Sequence, residues 1–349
     1  MDSLTQAVLG AGISGSMLGH RHGRKALIAG ALLATLPDLD VFIDYGDPLA
    51  AMINHRGFSH SLLVLTALTA LIGWGAKRCQ SAHGYKDERL YLTIWLVLIT
   101  HPLLDAFTSY GTQLWWPWKP TPSSWSSIFV IDPFFTLPLS CAVLASLIWG
   151  PHARLRRVLA CTLAFCALYL AISVAVKSHI ESRIYKQLAE NGVKTQNMFS
   201  TPEPFNIFLW RVVAKTTDDH YYETIASLFD RGPAETILLP LNSDLIETMS
   251  ANASLNGLKW FTGNWLRFDE INGQLVVSDL RMGLGTGFYA FRFLLAERTE
   301  PDGAWQPLKP RYWLPDRDTS ELWTTIKRIW SQTPPIPLNK WEQRMHIPH

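Results

Sequence analysis

The chain has no CxxC pair, and its C-terminal half has no cysteine at all. That excludes a zinc knuckle and a disulfide framework. The four cysteines, Cys79, Cys141, Cys161 and Cys166, stand in or beside apolar runs, where a thiol packs as a small apolar filler. Charge is also scarce, at 17% of residues with a net of +2. No stripe of basic residues interleaved with aromatics occurs, so no nucleic-acid partner is expected. The opening Met1-Asp2-Ser3 lacks the basic n-region of a secretory signal. Internal repeats and low-complexity tracts are missing, and no long apolar run follows residue 176.

Hydrophobic residues nevertheless make up 48% of the 349 positions, concentrated in residues 1–176. The runs are Leu4–Gly19, Ala26–Leu36, Ser61–Ala76, Leu90–Phe107, Ile128–Trp149 and Val158–Val176. A span needs about 20 apolar residues, so the last two are the strongest and the first is marginal. The expectation is a bundle of about five to six membrane helices over 1–176, followed by a water-facing domain over 177–349. Three segments between runs, 20–25, 77–89 and 150–157, hold ten Lys and Arg; the alternate segments 45–60 and 108–127 hold only Arg56 and Lys119. The positive-inside rule places the first set in the cytoplasm, and places 45–60, 108–127 and everything after Lys177 outside. Trp115, Trp116, Trp118 and Trp125 suit an interfacial belt.

The C-terminal pattern is that of a small α+β domain dominated by an antiparallel sheet. Leu209–Lys215 and His220–Ala226 alternate around Thr216–Asp219, and Trp265–Glu270 and Gln274–Asp279 flank Ile271-Asn272-Gly273. Both read as hairpins, the second with a strong turn signal. Gly287–Glu297 alternates and Pro301-Asp302-Gly303 turns it back; Leu241–Leu255 and Ser320–Trp330 read as helices, and 333–349 as irregular.

Chemistry concentrates in the first half. Asp38 and Asp40 end the second run, His55, Arg56 and His60 precede the third, and His101 and Asp105 stand in the fourth. His101 and Asp105, at i and i+4, share a helix face. Carboxylates and imidazoles are costly at membrane depth, so such a cluster is a site hypothesis by default. Each alone has an ordinary role: Asp38 or Asp40 as a cap, His101 beside Pro102 as a partner for freed backbone, Arg56 as a headgroup contact. The topology drawn from Lys and Arg alone gathers all of them, with Gln6, on the outer face. That sorting favours a metal site with ligands Asp38, His55, His60, His101, Asp105 and Gln6. Mixed His and Asp ligation without cysteine suits zinc first, and manganese or iron as alternatives. A divalent metal beside solvent makes hydroxide available at neutral pH, so metal-assisted hydrolysis is the expected class.

The strings Leu36-Pro-Asp-Leu-Asp40, His55-Arg-Gly-Phe-Ser-His-Ser61 and His101-Pro-Leu-Leu-Asp-Ala-Phe-Thr-Ser-Tyr-Gly-Thr-Gln-Leu-Trp-Trp-Pro117 resemble the YdjM-type family of bacterial inner-membrane metal-dependent hydrolases. The opening Met1–Gly10 fits as well, and the likeness covers about residues 1–135. Members of that family typically carry histidine where this chain has Gln6, which puts a second metal in doubt, although glutamine still offers an oxygen. The ligand order is also similar to that of the zinc-dependent phospholipase C and P1-nuclease group, whose HxxxD aspartate bridges two zinc ions; that likeness implies a bridging role for Asp105.

The expected function is therefore a multi-pass inner-membrane hydrolase of a phosphoester, a lipid-linked one being among the candidates because a site at headgroup depth suits a molecule held in the bilayer. Asp40 is expected as general base and Arg56 as the group stabilising phosphoryl charge. The alternative is a non-enzymatic envelope scaffold with a structural metal and a protein partner for the C-terminal domain. Ion transport fits less well, because ionisable residues do not continue through the full depth.

Overall fold

The computed structural model describes residues 1–79, 87–247, 249, 252–285, 288–300, 303–313 and 320–344. Two compact units result. The first comprises Met1–Ile43, Asn54–Trp125 and Phe129–Ile172; the second comprises Asp44–Ile53, Ser126–Ile128 and Ser173–His349.

The first unit is helical. Helix α1 (Ser3–His22) starts where the Asp2 carboxylate accepts the Thr5 N–H at 3.0 Å, the role in which aspartate stabilises a helix start. Gly23 separates it from α2 (Arg24–Thr35). The two helices approach at Gly10 and Gly30: a Cβ at Gly10 would stand 2.4 Å from the Gly30 carbonyl oxygen. Small residues allow such close backbone contact where no hydrophobic force separates helix from lipid. Beyond α2 the chain tightens into a 3₁₀ segment, Pro37–Phe42, which carries Asp38 and Asp40. Pro37 cannot donate the backbone bond that would continue the helix.

A short helix, α3 (Pro48–Asn54), follows in the stretch expected as loop, and Ile53 lies against Gly257 within the second unit. After a 3₁₀ turn at Phe58–His60 come α4 (Leu62–Cys79) and α5 (Asp87–Ala106). Leu65, Ile94, Leu98 and Ile99 form the core between them. Helix α6 (Pro133–Trp149) is capped by Asp132, which accepts the Phe135 N–H at 3.0 Å and the Tyr169 hydroxyl at 2.9 Å. Asp132 thus serves as a cap. Helix α7 (Ala153–Glu190) is 38 residues long, and among the described residues it alone is long and apolar enough to cross a membrane unaided. The stretch 48–78 meets the same test as a pair bent by 47°, whereas α6 is a shorter apolar helix.

The second unit holds two four-stranded antiparallel sheets. Strands β1 (Thr195–Pro202), β2 (Leu209–Thr216), β3 (His220–Ser227) and β4 (Glu235–Pro240) form one in sequential order. Ile180, Ile184 and Leu188 of α7 pack on Trp210, Val212 and Ala214. That packing carries α7 well past residue 176, into polar sequence that propensity alone would have ended. Helix α8 (Ala253–Thr262) then leads to the second sheet, of β5 (Leu266–Ile271), β6 (Gln274–Asp279), β7 (Arg292–Glu297) and β8 (Gln306–Tyr312). Its first hairpin turns at Asn272 and Gly273, both at positive φ (52° and 74°), as the Asn-Gly pair predicts.

The helix expected over Leu241–Leu255 is instead a 3₁₀ turn at Ser243–Ile246 and, later, α8. Asn252 caps the α8 start by accepting the Leu255 N–H, so the helix begins where the sequence reading had it ending. Helix α9 (Ser320–Arg328) matches expectation, and α10 (Leu338–Arg344) is a short helix in a stretch expected to be irregular. Strand β7 begins at Arg292; Gly287 and the turn residues Pro301 and Asp302 lie outside the described residues.

One buried group in this unit carries a pH prediction. Glu203 is fully buried; one oxygen accepts the Gly285 N–H at 2.7 Å and the other has no partner. Burial pushes its pKa up to about 7, against the lowering effect of the Gly285 bond and of Arg211. The folded chain therefore keeps a proton that the unfolded chain releases near its ordinary value of 4.5. Stability falls as pH rises from the lower value to the upper and is flat above it. Glu203→Gln is expected to raise stability by on the order of 3 kcal/mol at pH 8 and to change little at pH 4. Melting curves of the full chain at the two pH values check this; equal shifts at both would exclude proton linkage.

Candidate metal centre

Four side chains converge in the first unit. One ligand atom each from Asp38, His60, His101 and Asp105 all lie within 4.8 Å of one another, and the last three residues are buried. The 3₁₀ segment after α2 supplies Asp38, the turn before α4 supplies His60, and one face of α5 supplies His101 and Asp105.

Hydrogen bonds behind the imidazoles set their direction. His101 Nδ1 lies 2.6 Å from the Ala34 carbonyl oxygen, which can only accept, so Nδ1 carries the proton and Nε2 is bare. The Ser59 hydroxyl donates to Asp40 Oδ2 at 2.6 Å, so its oxygen is left to accept from His60 Nδ1 at 2.9 Å. In its neutral form His60 then has no proton on Nε2. The two Nε2 atoms face each other at 3.1 Å. Two lone pairs at that distance repel unless a cation or a proton lies between them. Asp38 Oδ1 stands 3.2 Å from His101 Nε2 and 3.5 Å from His60 Nε2, and Asp105 Oδ2 stands 3.2 Å from His60 Nε2. Asp105 Oδ2 is buried without a hydrogen-bond partner. Two imidazole nitrogens and two carboxylates, one of which has an unsatisfied buried oxygen, fit a divalent cation.

The remaining expected residues surround the four. Asp40 stands behind His60: it accepts from His55 Nδ1 at 2.8 Å, from the Arg56 N–H at 3.1 Å and from Ser59. His55 is turned to Asp40 and edge-on to the His60 ring, at 5.9 Å between centroids. Gln6 donates its amide nitrogen to Asp105 Oδ1 at 3.1 Å and to the His101 carbonyl oxygen at 3.2 Å. It is thus beside the cluster, with its oxygen turned away from Asp105. Arg56 pairs with Asp105 Oδ2 at 3.3 Å, lies 4.7 Å from the centre of the Tyr110 ring, and takes a left-handed backbone with φ of 60°. The Met1 amino group also pairs with Asp105.

Ser59 is not among the residues singled out from the sequence; its place directly before His60 is the signal that points to it. The contact predicts an effect. Ser59→Ala is expected to weaken metal affinity about 10–100-fold, as loss of an orienting partner does, and Ser59→Thr to retain most of it. Competition with a chelator of known affinity measures both; an unchanged Ser59→Ala affinity would mean that the hydroxyl does not orient His60.

The family model described as YdjM inner membrane protein matches residues 1–180. Over 95 residues the chain is 36% identical to the inner membrane protein YbcI of Escherichia coli (strain K12), an alignment that takes in 27% of this chain and 53% of that protein. The chain thus spans about half the length of that relative. It is also 22% identical over 236 residues to the uncharacterized protein YfhP of Bacillus subtilis (strain 168), covering 63% of this chain and 67% of that one. No solved structure matches. The four converging side chains and the segments that orient them all lie within the matched residues, and the chain belongs to the YdjM inner membrane protein family.

Proposed function

We propose that this chain is a multi-pass, metal-dependent hydrolase of the bacterial inner membrane that acts on a phosphoester, a lipid-linked one being among the candidates. The observation that carries the reading is the convergence of Asp38, His60, His101 and Asp105 within 4.8 Å, with the Nε2 atoms of the two imidazoles 3.1 Å apart. Two imidazoles and two carboxylates suit zinc first, then manganese or iron. Such a cation supplies Lewis acidity, bringing the pKa of water from about 15.7 towards about 7. The chain's own residues do the rest. Ser59 and the Ala34 carbonyl hold the two imidazoles in place. Asp40 and the partly exposed His55 form a hydrogen-bonded pair suited to taking up a proton. Arg56, beside Asp105, is placed to meet phosphoryl charge.

Several helices expose large apolar side chains, among them Leu32 on α2, Leu71 on α4, Leu92 on α5, Leu144 and Ile148 on α6, and Leu168 on α7. These suit lipid contact and support a bundle of five to six membrane helices. With 12 residues, α2 reaches only about 18 Å, short of the roughly 30 Å core, so Asp38 and Asp40 would lie inside the outer boundary. The Lys and Arg distribution puts the C-terminal domain outside the cytoplasm.

The test is turnover by purified full-length protein loaded with zinc or manganese, on a panel of phosphomonoesters, phosphodiesters and lipid-linked phosphoesters. Turnover that disappears with a chelator and in His60→Ala supports the proposal. A stoichiometric metal with no turnover on any ester would replace it with a structural centre in a scaffold.

A further inference from the structure

Among the described residues of the second unit, the two most exposed large hydrophobic groups are Trp323 and Trp330, at 66% and 68%. Helix α9 carries Trp323, and the chain continues from it in a turn where the Trp330 N–H donates to the Lys327 carbonyl oxygen at 3.1 Å. Positions 323, 327 and 330 stand at i, i+4 and i+7, on one face of such a helix. Thr325, Arg328 and Ile329 are buried on the other side, and Ile329 packs with Leu209 and Ile225 of the first sheet. A helix half-buried in this way ordinarily turns a polar face to water. This one turns out two tryptophans, with Lys327 between them. Phe229, in the turn after β3, widens the face: it is 44% exposed, and its ring stacks on that of Trp330 with centroids 4.8 Å apart. Phe208 backs the pair, 5.5 Å from Phe229 and 6.2 Å from Trp330.

The attachment of this face to α7 indicates what covers it. Asp230, next to Phe229, accepts from Arg328 of α9 at 2.6 and 2.9 Å and from Arg183 of α7 at 3.4 Å. Arg183 stands seven residues past Val176, where the apolar stretch of α7 ends, a rise of about 10 Å. A hydrocarbon core of about 30 Å grows to about 40–45 Å with its two headgroup layers. Helices that lie in the interface sink about 5–10 Å into it. The aromatic face is thus tied to the spanning helix within a side chain's reach of the headgroup layer. Tryptophan is favoured at that depth, because its ring is apolar at one end and a hydrogen-bond donor at the other. Lysine suits the same depth, with its stem along apolar surface and its ammonium in water.

We propose that Trp323, Trp330 and Phe229 form an interfacial anchor, seated in the headgroup layer of the membrane that α7 crosses. The inference rests on α7 as a span and not on the metal centre or the proposed hydrolysis.

The test is electron paramagnetic resonance of the full chain in vesicles of dioleoylphosphatidylcholine and dioleoylphosphatidylglycerol. A nitroxide is carried on a single introduced cysteine, with the four native cysteines replaced by alanine. Thr324→Cys and Ser331→Cys place it at exposed positions beside the two tryptophans and leave the anchor intact. Two exposed positions on α7 calibrate depth: Leu168→Cys within the apolar stretch, and Glu190→Cys about 21 Å past its end. The ratio of oxygen to nickel-chelate collisions at 324 and 331 is expected to fall between the values at 168 and 190. Trp323→Ala combined with Trp330→Ala is expected to shift it to the value at 190. A ratio at 324 and 331 equal to that at 190 in the chain with both tryptophans overturns the proposal, and this reading stands by itself should the double variant not fold. An intermediate ratio that a folded double variant leaves unchanged also overturns it. So does dipolar broadening between labels, which would mark a second copy of the chain on this face.

Discussion

His101→Ala and Asp105→Ala are each expected to leave the purified protein without stoichiometric metal, where the wild type carries about one divalent ion per chain. The loss should exceed the roughly 10–100-fold that removal of an orienting partner costs, because each variant removes a ligand. His101 contributes a nitrogen whose lone pair is aimed by the Ala34 carbonyl, and Asp105 an oxygen buried with no other hydrogen bond. Asp105 also pairs with Arg56, so its alanine variant leaves that buried guanidinium without its carboxylate. Asp105→Asn separates the effects, since it keeps the shape and loses the charge. Elemental mass spectrometry after dialysis gives the metal content, and circular dichroism confirms folding. Folded variants that keep wild-type metal would dismiss these four residues as ligands. A wild type that takes up no metal on reloading would remove the cation from the site and hydrolysis with it.

The second large effect lies in the C-terminal domain. Arg211 of β2 and Glu223 of β3 form a fully buried ion pair, and Arg211 also donates to the Leu280 carbonyl oxygen at 2.5 Å and to the Tyr289 hydroxyl at 3.2 Å. Nearby, Arg267 of β5 binds Asp269 and Glu342, and Arg292 of β7 binds Asp269 and Ser278. Buried charge thus joins the strands beside the apolar clusters packed on them. Removing one member of such a pair costs more than the pair contributes, because the survivor stays buried and unpaired. Glu223→Ala is expected to destabilise the domain by about 3–5 kcal/mol. Arg211→Met combined with Glu223→Leu, which removes both charges, should cost far less or stabilise. Hydrogen exchange of the β2 and β3 amides in the full chain reports the change locally. A Glu223→Ala domain within about 0.5 kcal/mol of wild type, the scale of ordinary surface changes, would mean that water reaches Arg211.

How far the sequence could be read depends on the range of the interactions concerned. The hairpin at Asn272-Gly273 was readable because two adjacent residues set its backbone. Strands β1 and β4 were not, because each is defined by the neighbour it pairs with rather than by its own pattern. Helix α7 runs past its apolar stretch because Ile180, Ile184 and Leu188 meet a sheet formed by residues further along the chain. At the site, residue types and their grouping were legible along the chain: carboxylates and imidazoles in apolar surroundings carry a cost that a shared ligand relieves. His101 and Asp105 share a face by helical spacing alone. Only the tertiary structure decided which groups meet. It set Asp40 behind His60 through Ser59, turned His55 to Asp40 and the Gln6 amide to Asp105, and brought Arg56 onto Asp105. Those assignments depend on side-chain directions across segments up to a hundred residues apart, which hydropathy and spacing along one chain do not encode.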